Sequence, residues 1–180
     1  VANMNSMFKG YSFDGIFIST NFNQNISYWD VSSVTDMGSM FEVSQFNQPI
    51  GSWDVSSVTN MSGMFYMSQF NQPIGEWDVS NVTSFQKIFE GATAFNGDIS
   101  GWTLNTTGSI LMTQMFKNAT SFDRSLATWD ISQVNNMFEM FKGATLSTAN
   151  YDALLIGWSQ LTLQPNVTFS GGNSKYCVWG

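Results

Sequence analysis

The sequence predicts an α/β solenoid: a leucine-rich-repeat-like stack of about five to six coils, closed by a C-terminal capping unit. Three recurring markers predict it. Trp29-Asp30-Val31, Trp53-Asp54-Val55, Trp77-Asp78-Val79 and Trp129-Asp130-Ile131 recur in phase, and Trp102-Thr103-Leu104 is a decayed copy. Successive tryptophans are 24, 24, 25 and 27 residues apart. Met7-Phe8, Met40-Phe41, Met64-Phe65, Ile88-Phe89, Met115-Phe116 and Met140-Phe141 form the second marker. Phe22-Asn23, Phe46-Asn47, Phe70-Asn71, Phe95-Asn96 and Phe122-Asp123 form the third.

Within one coil, Ile50, Trp53 and Val55 follow the L-x-x-L-x-L spacing, and the alternation of Trp53 and Val55 has the period of a short strand. Val58, Met61, Met64 and Phe65 then fall on one face of a short helix or of 3₁₀ turns, with Ser56 or Ser57 able to cap it. Gly51 and the Asn47-Gln48-Pro49 run mark turns. One coil cannot bury its own apolar side chains, so neighbours must do it.

Departures are local. The segment Tyr11–Thr20 holds a nine-residue insertion, read as a surface loop, and Asn105–Gly108 reads as a bulged turn. Residues 1–145 are assigned to the repeats and residues 146–180 to the cap. In the cap, Tyr151, Leu154, Leu155 and Trp158 predict an amphipathic helix with Asn150 as N-cap. Asn166–Phe169 reads as a strand and Ser170–Asn173 as a turn.

Composition bounds the function. Net charge is −7, charged residues are only 11% of the chain, and no basic run exists, which argues against nucleic acid and anionic membrane surfaces. No stretch of apolar residues is long enough for a membrane span. Histidine is absent and Cys177 is the single cysteine, so His/Cys zinc sites, a Ser-His-Asp triad and an intramolecular disulfide are excluded. Low Lys and abundant Ser, Thr, Asn and Gln suit an exported surface protein. The chain opens at a mid-repeat phrase, Val1-Ala2-Asn3-Met4, which reads as a piece of a longer product.

The phrases FNQPIGSWDVSSVTNMSGMF and FNQPIGEWDVSNVT resemble the repeats of BspA-like leucine-rich-repeat surface proteins, and YDALLIGW with NVTFSGGNSKYC resembles the close of such arrays. The resemblance covers nearly the whole chain. It implies a right-handed leucine-rich-repeat solenoid that is exported, often cell-surface, with adhesion or interaction roles.

Each candidate site has two readings. Asp30, Asp54, Asp78 and Asp130 form a column about 5 Å apart if coils stack, either a weak cation site or turn-capping groups, the second being favoured. Asn23, Asn47, Asn71, Asn96 and Asp123 read as a backbone-satisfying column. Met37, Met40, Met61, Met64, Met112, Met115, Met137 and Met140 read as packing rather than a soft metal site. The tryptophans Trp29, Trp53, Trp77, Trp102 and Trp129, with Phe41, Phe65, Phe89, Phe116 and Phe141, read as core rather than as a sugar-binding track. Asn25, Asn60, Asn81, Asn105, Asn118 and Asn166 stand in N-x-S/T sequons. Cys177 is a free thiol, half of a disulfide with a mate outside this sequence, or an intermolecular crosslink.

The expectation is a non-catalytic extracellular or cell-surface scaffold that uses no cofactor, does not insert into membranes, and binds a protein or glycan partner. The alternative is a structural subunit whose copies assemble end to end into a filament or surface layer.

Overall fold

The computed structural model describes residues 3–14 and 16–177. It overturns the α/β leucine-rich-repeat solenoid. Among the described residues there are four short strands and one helix: β1 (Tyr11–Phe13), β2 (Ile16–Ile18), β3 (Ile110–Leu111), β4 (Val134–Asn136) and α1 (Thr148–Ser159). The strands make two separate two-stranded sheets, β1 with β2 antiparallel and β3 with β4 parallel. Apart from β3 and β4 the repeats are turns and loops, with neither a strand at Trp53–Val55 nor a helix at Val58–Phe65.

The backbone explains the error. Across Met61–Met67, alternate amides divide their hydrogen bonds. Met64 and Tyr66 donate back to Met61 and Gly63 of the same turn, whereas Met61, Gly63, Phe65 and Met67 donate to Ser84, Gln86, Ile88 and Glu90 of the next repeat. A helix needs every amide for its own i−4 carbonyl, so half the required bonds are spent between repeats. The same segment takes left-handed backbone twice per repeat. Ser39, Gly63, Lys87, Gln114 and Glu139 have φ of 53°, 63°, 61°, 58° and 54°, and Val43, Met67, Gly91, Asn118 and Gly143 have 51°, 51°, 69°, 58° and 77°. Left-handed φ costs an L-residue about 1–2 kcal/mol and interrupts any right-handed helix. The i, i+3, i+6, i+7 spacing of Val58, Met61, Met64 and Phe65 therefore reports an inward face, not a helix.

Side chains join the repeats as regularly as the backbone does. Phe41, Phe65, Phe89, Phe116 and Phe141 form one column, with successive ring centroids 5.8, 5.7, 5.7 and 5.3 Å apart. Phe46, Phe70, Phe95 and Phe122 form a second, lying 3.8–4.1 Å from the first with nearly parallel planes. Each such pair adds about 0.5–1.5 kcal/mol beyond area burial. Trp53, Trp77, Trp102 and Trp129 donate their indole N–H to the carbonyls of Ile26, Ile50, Ile74 and Ile99 in the preceding repeat. They are 1–4% exposed, and Trp29 is half-buried.

The insertion is a hairpin rather than a loop, β1 and β2 pairing across Asp14 and its neighbour. At the other end, Ser147, not Asn150, caps α1: its Oγ accepts the amide of Asn150. Asn150 lies inside α1, where its side-chain amide donates to Asp123. The helix is less sharply two-sided than expected, since Ile156 is 66% exposed among the apolar residues of α1. Trp158 continues the tryptophan column from within the helix, its indole donating to the Leu126 carbonyl. Asn166–Phe169 is not a strand; only an isolated bridge joins Phe169 to Met137.

Trp53→Ala is expected to cost ~3–5 kcal/mol as a core truncation. Trp53→Phe keeps most of the apolar volume but leaves the Ile26 carbonyl without its donor, an expected loss of ~1–3 kcal/mol. Urea denaturation of both variants checks the order; a Trp53→Phe chain as stable as the parent would show that the indole N–H contributes nothing.

Candidate binding face

The markers fix which residues fill the inward columns and leave three positions per repeat outside them. In the phrase Met-x-x-Met-Phe-x, residues at the first, fourth and fifth places are buried, as Met61, Met64 and Phe65 are. The remaining places read Gly38, Ser39, Glu42; Ser62, Gly63, Tyr66; Gln86, Lys87, Glu90; Thr113, Gln114, Lys117; and Phe138, Glu139, Lys142 down the chain. Hydrogen-bonded turns hold every one of these positions in register, so a chemically varied surface stands on an invariant frame. Periodicity does not reveal this face, because its residues do not repeat. Its signal is the converse: the positions beside Met-Phe that change from copy to copy.

Charge concentrates here. Four of the six Lys and Arg residues lie on this face, paired with three glutamates. Lys9 meets Glu42 at 3.0 Å, and Lys117 meets Glu139 at 2.9 Å. Glu90 is 8% exposed and lies 3.6 Å from both Lys87 and Lys117, while its Oε2 accepts no hydrogen bond. Bonds from Lys142, then Gln114 and Lys117, pull Glu139 down to about 2. The lysine side chains are 21–58% exposed, so solvent screens these pairs, and the row matters more as a patterned surface.

The hairpin roofs part of the face. Phe17 meets Tyr66 edge-on at 6.4 Å. With Ser39, Glu42, Ser62, Gly63, Gln86 and Lys87 these rings line an open cleft of about 430 Å³. Lys87 Nζ lies 5.9 Å from the Tyr66 ring centroid, within cation–π range. Burial, then the charges of Glu90 and Glu42, push the Tyr66 phenol up, so it stays protonated and able to donate. The cleft offers aromatic faces, carboxylate and amide acceptors, hydroxyls and an ammonium group. A second cavity, about 290 Å³ and mostly apolar, lies between α1 and the last repeat, lined by Ile131, Met137, Leu155, Trp158, Leu163, Val167 and Phe169.

The other sequence candidates fall elsewhere. Each column aspartate accepts from the serine two residues on: Asp30 from Ser32, Asp54 from Ser56, Asp78 from Ser80 and Asp130 from Ser132. The serine hydroxyl first, then its amide, lowers all four carboxyls. Among the described residues no three His, Cys, Asp or Glu gather as a metal site. The asparagine column is continuous: Asn23, Asn47, Asn71 and Asn96 accept from the amides of Asn47, Asn71, Asn96 and Asp123, and Asp123 accepts from Ser147.

Among the sequons, Asn25, Asn81, Asn118 and Asn166 are exposed, Asn60 is half-buried, and Asn105 is buried, its carbonyl holding the amides of Thr107 and Gly108. Cys177 is an exposed free thiol whose amide donates to Asp152. No helix among the described residues is long and apolar enough to cross a membrane.

A family model described as "Mycoplasma protein of unknown function, DUF285" matches residues 1–102 and again 43–154. Searches of curated proteins and of solved structures found no match.

The depressed carboxyls set a pH dependence. A group with a lowered folded pKa stabilises the fold above its unfolded value, about 4, and loses that contribution as pH falls through the folded value. Stability is therefore expected to be flat from pH 7 to 5 and to drop between about pH 4 and 2, the lower limit set by Glu139 at about 2. Urea titrations across that range check it. Asp54→Asn with Asp78→Asn should flatten the drop, and an unchanged acid limb would show that these turns do not supply it.

Proposed function

The chain belongs to the DUF285 family, whose model covers most of it, and from that premise we propose that it is a non-catalytic cell-surface scaffold of the BspA-like kind, with an adhesion or interaction role. Its recognition surface is the varied face, centred on the cleft between β2 and Tyr66. The observation that carries this reading is the contrast between columns. Inward residues repeat because they pack, whereas Glu42, Tyr66, Glu90, Lys117 and Lys142 occupy one structural position with three different side-chain chemistries in register. A rigid frame with variable outward residues is how repeat proteins build extended binding surfaces.

The cleft's chemistry fits a glycan or a polar peptide segment. Aromatic faces take the apolar side of a sugar ring, and Glu42, Gln86 and Lys87 supply acceptors and donors around it. End-to-end assembly has less support, because α1 lies across the last repeat and takes the place of a following tryptophan at Trp158.

Two measurements test this. Antibody labelling of intact producing cells should place the protein outside. An array of oligosaccharides and glycoproteins should show saturable binding that weakens about tenfold or more in Tyr66→Ala, in line with loss of one stacking residue, while Glu76→Gln, away from the cleft, leaves it intact. Binding unaffected by Tyr66→Ala would remove the cleft from the account.

A further inference from the structure

The hairpin has two unlike faces. Its register pairs Tyr11 with Ile18, Ser12 with Phe17 and Phe13 with Ile16. Alternation sends Ser12 and Phe17 to one side and Tyr11, Phe13, Ile16 and Ile18 to the other. Phe17 turns toward Tyr66 and the repeats. The other four side chains are 61%, 75%, 66% and 40% exposed. A soluble surface seldom leaves four large apolar groups contiguous.

We propose that this outer face is where two copies of the chain meet, hairpin on hairpin, about a two-fold axis. The face complements itself. Both aromatics stand on β1 and both isoleucines on β2. A two-fold axis running along the strands sets β1 of one copy over β2 of the other, so each aromatic packs on a β-branched side chain, a favoured pairing. The face is also uncharged in a chain of net charge −7, the nearest charge on the hairpin being Asp14 at its turn. The axis sets the two Asp14 turns at the same end, so these like charges stand at the rim of the contact and none lies within it.

Area sets the strength. Four side chains at these exposures bury roughly 400–500 Å² per copy, near 1,000 Å² in all, the lower limit for a specific interface. The association is weak and depends on concentration. A lipid surface is a poorer occupant, because Asp14 stands between Phe13 and Ile16 at the tip and its carboxylate would have to enter the hydrocarbon first.

Sedimentation velocity of the whole chain, carrying Cys177→Ser so that disulfides play no part, decides the matter. From about 1 µM to about 500 µM the average mass should rise from monomer toward dimer, the range expected of a small interface. Phe13→Ser with Ile16→Ser should hold it at monomer throughout, with the circular dichroism spectrum unchanged because both positions are exposed. Should that double variant fail to fold, Tyr11→Ser alone replaces it and should shift the midpoint of association about tenfold upward. Gln86→Ala, in the cleft, should leave association intact, which separates this proposal from the binding reading. A parent chain that stays monomeric at the highest concentration overturns the proposal, as does association that survives the hairpin variants. Co-sedimentation with phosphatidylcholine–phosphatidylglycerol vesicles, lost in the variants while the free chain remains monomeric, would assign the face to lipid instead.

Discussion

The division of backbone amides between each turn and the next repeat is the constraint on which the rest depends. In a helix or a hairpin a segment satisfies itself or one partner. Here, alternate amides of Met37–Val43 close their own turns, and those between them reach Asn60, Ser62, Met64 and Tyr66 one repeat on. Every buried backbone group needs a partner, so no repeat is complete without its neighbour. Left-handed φ at two positions per repeat follows from the same geometry. Such strain persists only where the surroundings over-determine it, and the phenylalanine columns supply that: rings 5.3–5.8 Å apart fix the spacing that the cross-repeat bonds require.

Tryptophan and asparagine serve this frame in different ways. The indole N–H satisfies a carbonyl of the preceding repeat from inside the core, where water cannot. The asparagine carbonyl does the same for an amide near the surface. The aspartates of the Trp-Asp turns bond the serine two residues on, within their own turns, which accounts for Thr103 at the equivalent place: a residue with a local role is easily lost from one copy. The end of the array reuses the tryptophan device. Trp158 arrives from a helix rather than from a Trp-Asp turn, yet reaches the Leu126 carbonyl, while Phe169 turns edge-on to Phe141 and Trp158 and ends the parallel rings.

Much of the packing was legible in the sequence and the backbone class was not. Periodicity reports which side of the chain is buried, and Val58, Met61, Met64 and Phe65 are indeed inward. It does not report where amides bond. The three-residue interval between Met61 and Met64 suits both a helix and a succession of single turns, and the deciding signal, Gly63 and Gly91 at left-handed positions, recurs too irregularly to be read as a rule, since Ser39, Lys87, Gln114 and Glu139 take the same φ. Length marked the insertion correctly, while the Asp14-Gly15 pair between Tyr-Ser-Phe and Ile-Phe-Ile, a strong hairpin signal, was passed over. The binding face was hidden for a different reason: search for repetition discards the positions that vary.

Those variable positions and the hairpin share a physical origin. A frame whose stability rests on inward columns and backbone bonds places few demands on the outward residues, so Ser39, Gly63, Lys87, Gln114 and Glu139 can differ without disturbing their neighbours' packing. It tolerates extra chain for the same reason. The amide of Gly10 still bonds the Glu42 carbonyl just before β1, and the amide of Thr20 bonds Val43 just after β2. The insertion thus leaves and rejoins the frame within two adjacent residues of the next repeat. A segment closed at its base in this way adds surface without breaking the array, and its side chains are free of the columns' packing rules. That freedom explains how β1 and β2 display Tyr11, Phe13, Ile16 and Ile18 outward, while the phenylalanines of the columns stay buried.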